Sequence, residues 1–215
     1  MTIIPIKKNE SNVDLKNAFI RLKDGESIHV RLLTDEDFIE YVSHESLAHK
    51  IYEMPCITPL GQDCPLCKAS KVGGDEWNKA LYPRSRYMFA MADLDSGELK
   101  IFKATKSQAR GLVETIQECP DELNEVAFVF KRTGNTKSTV YSLNAMTTKK
   151  FKEVEDAFAK FDGKEADIPF YEERLTPKSA PYLVHLLEEA KFPIEEHFST
   201  QLVAESREIE NDSKQ

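Results

Sequence analysis

Ala18-Phe-Ile-Arg-Leu-Lys-Asp-Gly-Glu-Ser-Ile-His-Val-Arg-Leu-Leu33 is the stretch that decides the fold class. Phe19, Arg21 and Lys23 alternate with Ile20 and Leu22, and Ile28, Val30 and Leu32 alternate with His29 and Arg31. A period of two marks strands with one face turned to a core, and Asp24-Gly25 between the runs is a hairpin turn signal. The stretch predicts two antiparallel strands.

Outward from it, more strand patterns follow. Phe38–Ser43 and Lys50–Met54 read as short strands. Arg84–Ala92 and Glu98–Ala104 read as a hairpin around Asp95-Ser96-Gly97, and Val126–Arg132 and Thr139–Leu143 as another pair. Lys106–Glu118 reads as an amphipathic helix carrying Leu112, Val113 and Ile116, with Thr105 as its N-cap. Asp75–Leu81 reads as a short helix with the only tryptophan, Trp77. Beyond residue 145 the pattern turns helical: Lys149–Phe161 carries Phe151, Val154, Phe158 and Phe161, and Pro181–Ala190 carries Leu183, Leu186 and Leu187. The expectation is a mainly β, α+β fold: an OB-fold barrel with a subdomain inserted at about 44–74, where the cysteines Cys56, Cys64 and Cys67 cluster with the spacing of a zinc-binding site, and a helical C-terminal region. In an OB-fold the helix typically falls between the third and fourth strands, and the position of 106–118 between two hairpins agrees with that. The expected organisation is a flexible arm over 1–16, a core over 17–145, helices over 146–200 packed on that core, and a mildly acidic, disordered tail over 201–215.

The chain has 215 residues, 40% hydrophobic and 31% charged, with a formal net charge of -8. No apolar run approaches the roughly 20 residues of a membrane-spanning helix. Met1–Glu10 places apolar residues before Lys7 and Lys8, the reverse of a secretory signal. A reducing cytoplasm is the expected location, where cysteines are thiols or metal ligands. All of the net charge resides in 151–215, with 8 basic and 16 acidic residues; 1–150 holds 21 of each. The acidic average therefore does not exclude a nucleic-acid partner.

Cys56-x7-Cys64-x2-Cys67 has the spacing of a metal site. Zinc takes four soft or borderline donors in a tetrahedron, and a Cys-x-x-Cys turn supplies two of them. His44, twelve positions before Cys56, is the first choice for the fourth ligand, with His49 and Cys119 as alternatives. The pattern fits one structural Zn2+ better than a redox pair, which does not need Cys56, or a deaminase-type catalytic zinc, whose motifs are absent. No phosphate-cradling Gly-x4-Gly-Lys loop and no catalytic carboxylate or Ser/His/Asp constellation occurs, so no enzymatic activity is expected.

The cysteines precede a run of aromatic and basic residues. Trp77, Tyr82, Arg84, Arg86, Tyr87, Lys100, Phe102 and Lys103 combine rings that can stack on bases with cations that can track phosphates. Lys131, Arg132, Lys137 and Tyr141 form a second such element in the last hairpin.

The run Phe38-Ile-Glu-Tyr-Val-Ser-His44, then Cys56, then Asp63-Cys-Pro-Leu-Cys67, resembles the tailed-phage helix-destabilising proteins, the zinc-containing single-stranded-DNA-binding proteins of the T-even type. Ala18–Leu33, Arg84–Phe89 and Lys131-Arg-Thr-Gly with Thr139-Val-Tyr141 also resemble that family, so that the likeness covers roughly residues 15–145. The resemblance implies an OB-fold core, a His-Cys-Cys-Cys zinc subdomain with His44 as ligand, and coating of single-stranded DNA in phage DNA replication, recombination and repair. It further implies self-association along DNA, contacts to replication and recombination proteins through the acidic C-terminal region, and, for a phage-encoded chain, the bacterial host cytoplasm. The family's basic N-terminal arm is represented by Lys7 and Lys8 alone. A zinc-ribbon adaptor that binds protein partners in a replication or transcription complex is the alternative.

Overall fold

The computed structural model describes residues 17–33, 38–118, 125–135 and 138–212. The N-terminal arm, Cys119 and Lys137 lie outside the described residues. The chain forms an α+β structure with helices and an antiparallel sheet that curls into a half-barrel. It divides into two compact units. The first takes the described residues of Ser11–Glu40 together with Arg86–Arg174; the second takes Tyr41–Ser85 and the described residues of Leu175–Gln215.

In the first unit, β1 (Ser27–Arg31) pairs with β6 (Ala127–Thr133) from Ser27↔Lys131 to Arg31↔Ala127. Its other edge meets β4 (Arg84–Asp93) at Val30↔Asp93 and Arg31↔Ala92. β4 also pairs along Arg86–Asp93 with β5 (Glu98–Thr105), and β6 pairs with β7 (Val140–Ala145). All of these pairings are antiparallel. The helix α3 (Lys106–Glu118) lies against β5 and β7 and buries Ala109, Leu112 and Ile116 among Phe89, Phe102, Phe128 and Phe130. Thr105 and Gln108 cap α3 reciprocally: the Gln108 N–H donates to Thr105 Oγ1 (3.3 Å) and the Thr105 N–H to Gln108 Oε1 (3.0 Å).

The expected hairpin of 18–33 does not form as such. The Asp24-Gly25 turn is present, with Gly25 at φ 80° and the Glu26 N–H donating to the Lys23 carbonyl. Its two arms diverge, however. Residues Ala18–Ile20 meet β5 at Ile101, while β1 gives its edges to β6 and β4. The turn is held by the end of β6, through Gly25 N–H to the Arg132 carbonyl and Arg132 N–H to the Glu26 carbonyl. The alternation still chose the inward faces, since Ile20, Leu22, Val30 and Leu32 are all buried. Periodicity fixes a strand's faces and says nothing of which edge it meets.

The helix expected over 149–161 is two short ones, α4 (Thr148–Phe151) and α5 (Glu155–Ala159), because Val154 leaves helical geometry at φ −118°, ψ 3°. Phe158 and Phe161 are buried with Leu33, Ala92, Leu94 and Ala127. An additional helix, α6 (Ile168–Leu175), follows.

The second unit holds β2 (Phe38–Ser46) from Tyr41 onward and β3 (Ile51–Pro55), an antiparallel pair closed by a 3₁₀ turn at Leu47–His49. Then come α1 (Pro65–Val72) and α2 (Gly74–Leu81), joined by Asn78 Nδ2 donating to the Ser70 carbonyl (3.1 Å). Three helices complete it: α7 (Ala180–Glu189), α8 (Ile194–His197) and α9 (Thr200–Asp212). The expected single helical region over 146–200 is thus divided. Phe158 and Phe161 join the half-barrel side, whereas Leu183, Val184, Leu187, Phe192, Ile194 and Val203 share a core with Cys56, Cys64, Leu66 and Ala69. The expected disordered tail is, through Asp212, the helix α9. Leu202 and Val203 pack into that core, and Arg207 bridges Glu188 and Glu195 at 2.7 and 2.9 Å. Its polar composition hid a helix anchored by one apolar stripe and an ion-pair clamp. Among the described residues, no helix is long and apolar enough to cross a membrane.

Candidate metal centre

His44, Cys56, Cys64 and Cys67 come together, with one ligand atom from each and all four within 4.8 Å of one another. Each is brought there by a local device. His44 lies on β2 opposite Met54 of β3, next to a register shift between His44 and Ser46. Such irregularities re-aim side chains, and here Ser43 and His44 are both buried although they are neighbours in a strand. Cys56 follows β3, its N–H donating to the Val42 carbonyl (2.9 Å). A 3₁₀ turn at Thr58–Leu60 ends on Gly61 at φ 75°, a left-handed conformation suited to glycine, and reverses the chain toward Cys64. Cys64 is the N-cap of α1, Pro65 is its first residue, and Cys67 lies in the same first turn. The Cys64-Pro-Leu-Cys67 segment was expected to be a turn and instead opens a helix.

The distances fit a metal. A tetrahedral zinc with ordinary Zn–S and Zn–N bonds separates its ligand atoms by roughly 3.5–3.8 Å. Cys56 Sγ is 3.5 Å from Cys67 Sγ, and His44 Nε2 is 3.6 Å from Cys64 Sγ and 3.4 Å from Cys67 Sγ. A disulfide needs sulfurs near 2.0 Å, so all three are thiols. His44 Nδ1 donates to the Leu81 carbonyl at the end of α2 (2.7 Å). This contact consumes the Nδ1 proton position and leaves Nε2 to face the sulfurs, the usual outer-shell support of a ligating histidine.

The ionisation of the cluster is that of groups competing for protons. Hydrogen bonding with Cys64 and Cys67 pushes the Cys56 thiol down, and the same contact with Cys56 pushes Cys64 up. Burial lowers His44, but hydrogen bonds to Cys56 and Cys67 and to the Leu81 carbonyl outweigh it and raise it to about 9. A cation in this place displaces those protons and satisfies all four donors at once. Cys56, Cys64 and His44 are buried and Cys67 is part-exposed.

His49 is placed elsewhere. Its ring stacks on Trp77 at 4.3 Å, Nδ1 hydrogen-bonds Ser46 Oγ (2.8 Å) and Nε2 faces Glu76 (3.5 Å). It lines a shallow groove of about 520 Å³ with Glu45, Leu47, Glu76, Lys79 and Arg84.

The expected DNA contacts separate into two groups. Tyr87 and Phe102 are buried in the core of the first unit, and Tyr141 is part-buried against Phe102 and Phe130. Lys100 Nζ is paired with Asp93 at 2.8 Å, Lys103 lies over the Phe19 ring, and Arg132 donates to the Leu22 carbonyl (2.6 Å). Arg86 is part-buried, and Lys131 is exposed. In the second unit Tyr82 is 59% exposed, Arg84 is exposed, and Trp77 is wedged between His49 and Phe192. Two exposed apolar residues of this unit, Leu47 and Tyr52, were not singled out from sequence. Exposure depends on packing and leaves no sequence signal of its own. Neither the protein-family models nor the curated proteins compared with this chain match it.

Proposed function

We propose that the cluster binds one structural Zn2+ and that the protein is a non-enzymatic single-stranded-DNA-binding protein whose curled sheet is an OB-type barrel. The closed, buried four-donor arrangement favours a metal that shapes the chain over one that does chemistry. The helix α3 between β5 and β6 suits an OB-type topology. The observation that carries the DNA reading is the second unit's groove, where Lys79 and Arg84 lie together, with the exposed ring of Tyr82 just before Arg84 in the chain. Cations for phosphate and a ring for a base are the two requirements of sequence-tolerant single-strand binding. Self-association along the strand and recruitment of replication and recombination proteins by the acidic C-terminal third belong to the same proposal.

The test is a titration with oligo(dT), reading Trp77 and tyrosine fluorescence at rising salt. Binding weakens linearly on a log–log plot of affinity against salt, and Lys79→Ala and Arg84→Ala each reduce the slope by about one. Absence of binding at low salt overturns the proposal. The exposure of Leu47 (69%) and Tyr52 (66%) favours the second reading, a zinc-built adaptor for protein partners, which takes over if the oligonucleotide gives no response.

A further inference from the structure

Residues that surround the metal ligands come from the far end of the chain. Cys56 and Cys64 share one buried core with Leu183, Val184 and Leu187 of α7, Phe192, Ile194 of α8 and Val203 of α9. The cysteine-bearing helix α1 packs on α7. Three further contacts carry this docking. The Trp77 ring of α2 meets the Phe192 ring edge-on at 5.0 Å, and Lys68 of α1 lies 5.1 Å over the Phe198 ring. Gly73, between α1 and α2, is the third: a Cβ there would come within 2.8 Å of Phe192 and 2.5 Å of Trp77. The helices α4 and α5 stand outside this set, since Phe158 and Phe161 join the separate core around Leu33 and Ala92.

From this we infer that the metal centre is the latch of the C-terminal helices: loss of the ion releases α7–α9, while the half-barrel and α4–α5 stay folded. The inference rests on the zinc reading above. Its physical basis is that α1 begins at the ligands. Without a cation, nothing ties Cys64 and Cys67 in the first turn of α1 to His44 of β2 and to Cys56 at the end of β3. The face that α1 and α2 offer to Leu183, Leu187 and Phe192 is then lost. The released segment 175–212 holds eight acidic and three basic residues, so the metal-free form presents an acidic segment to basic partners. Coupling of this kind is reciprocal: whatever loosens the helices weakens zinc binding.

The experiment uses the full chain. Zinc is counted by mass spectrometry before and after dialysis against a chelator, and amide hydrogen exchange is followed by peptide. The expected result is one zinc per chain, exchange in α7–α9 faster by at least about tenfold after its removal, unchanged exchange in β5 and α3, and recovery on adding zinc. Equal protection of α7–α9 with and without zinc overturns the inference and leaves the zinc reading standing. Loss of protection throughout the chain overturns it too. A chain that binds no zinc overturns both. Gly73→Ala leaves every ligand in place and is the second arm: zinc affinity falls at least about fivefold, within the ordinary range of coupling between sites, and Trp77 emission changes. Unchanged zinc affinity in a Gly73→Ala chain with altered Trp77 emission overturns the reciprocity and the latch with it.

Discussion

His44 and His49 lie five positions apart with opposite commitments. The Leu81 carbonyl accepts a hydrogen bond from His44 Nδ1–H and so turns Nε2 toward Cys64 and Cys67, while His49 is occupied by Ser46, Glu76 and Trp77. His44→Ala therefore lowers zinc affinity by more than about 100-fold, beyond the ordinary cost of losing an outer-shell partner, whereas His49→Ala keeps one zinc per chain. A chelator competition with metal counting measures both. Asp93 is a second decisive residue. Its carboxylate is buried, pairs with Lys100, and accepts the N–H groups of Asp95 and Ser96 and the Ser96 hydroxyl, which sets the β4–β5 turn. Burial acts to raise its pKa, but the hydrogen bonds from Lys100 and Ser96 prevail and hold it below the ordinary 3.8. A depressed carboxylate stabilises the fold above its unfolded-state pKa and loses that contribution as pH falls through the folded value, so the loss lies below pH 3.8. Asp93→Asn costs about 1.5–3 kcal/mol at neutral pH, by removing the close charged partner of part-buried Lys100 and leaving it only Glu98, at 3.7 Å. It also flattens the acid limb of a plot of melting temperature against pH.

Among the secondary-structure elements, local chemistry was most informative where an element is self-contained. The α3 bounds follow from Thr105, Gln108 and the spacing of Leu112 and Ile116. Thr105→Ala removes one half of the reciprocal cap and costs about 1 kcal/mol, measurable by urea denaturation with an unchanged m-value. The β4–β5 hairpin was likewise legible from Asp95-Ser96-Gly97. The 18–33 stretch was legible as to its faces and turn but not its pairing, because strand edges are satisfied by whichever partner the rest of the sheet supplies. The helical start at Pro65 was hidden by the cysteines: α1 is only eight residues long, with Cys67 inside it and Cys64 as its N-cap, and a window that short displays little apolar periodicity.

In the molecule as a whole, the burial of Tyr87 and Phe102 and the pairing of Lys100 withdraw them from the set that could hold a strand. The salt titration should separate the two groups. Tyr82→Ala should weaken oligo(dT) binding by about 1–3 kcal/mol, the range for a stacked base, while Lys100→Ala should leave the salt slope unchanged even though it destabilises the β4–β5 turn. An altered slope in Lys100→Ala at full occupancy of the folded state would return that lysine to the interface.

The three cysteines of the candidate metal site were written into the sequence, because metal coordination demands particular atoms and three cysteines within twelve positions can offer them only in a few ways. Strand faces and α3 were equally written there, since alternation and capping are local. Which histidine faces the sulfurs, which edge each strand meets and which core receives α7–α9 depended on long-range packing. Those choices are made by contacts between residues far apart in the chain, such as Trp77 with Phe192 and Lys68 with Phe198, and no short window of the sequence contains both partners.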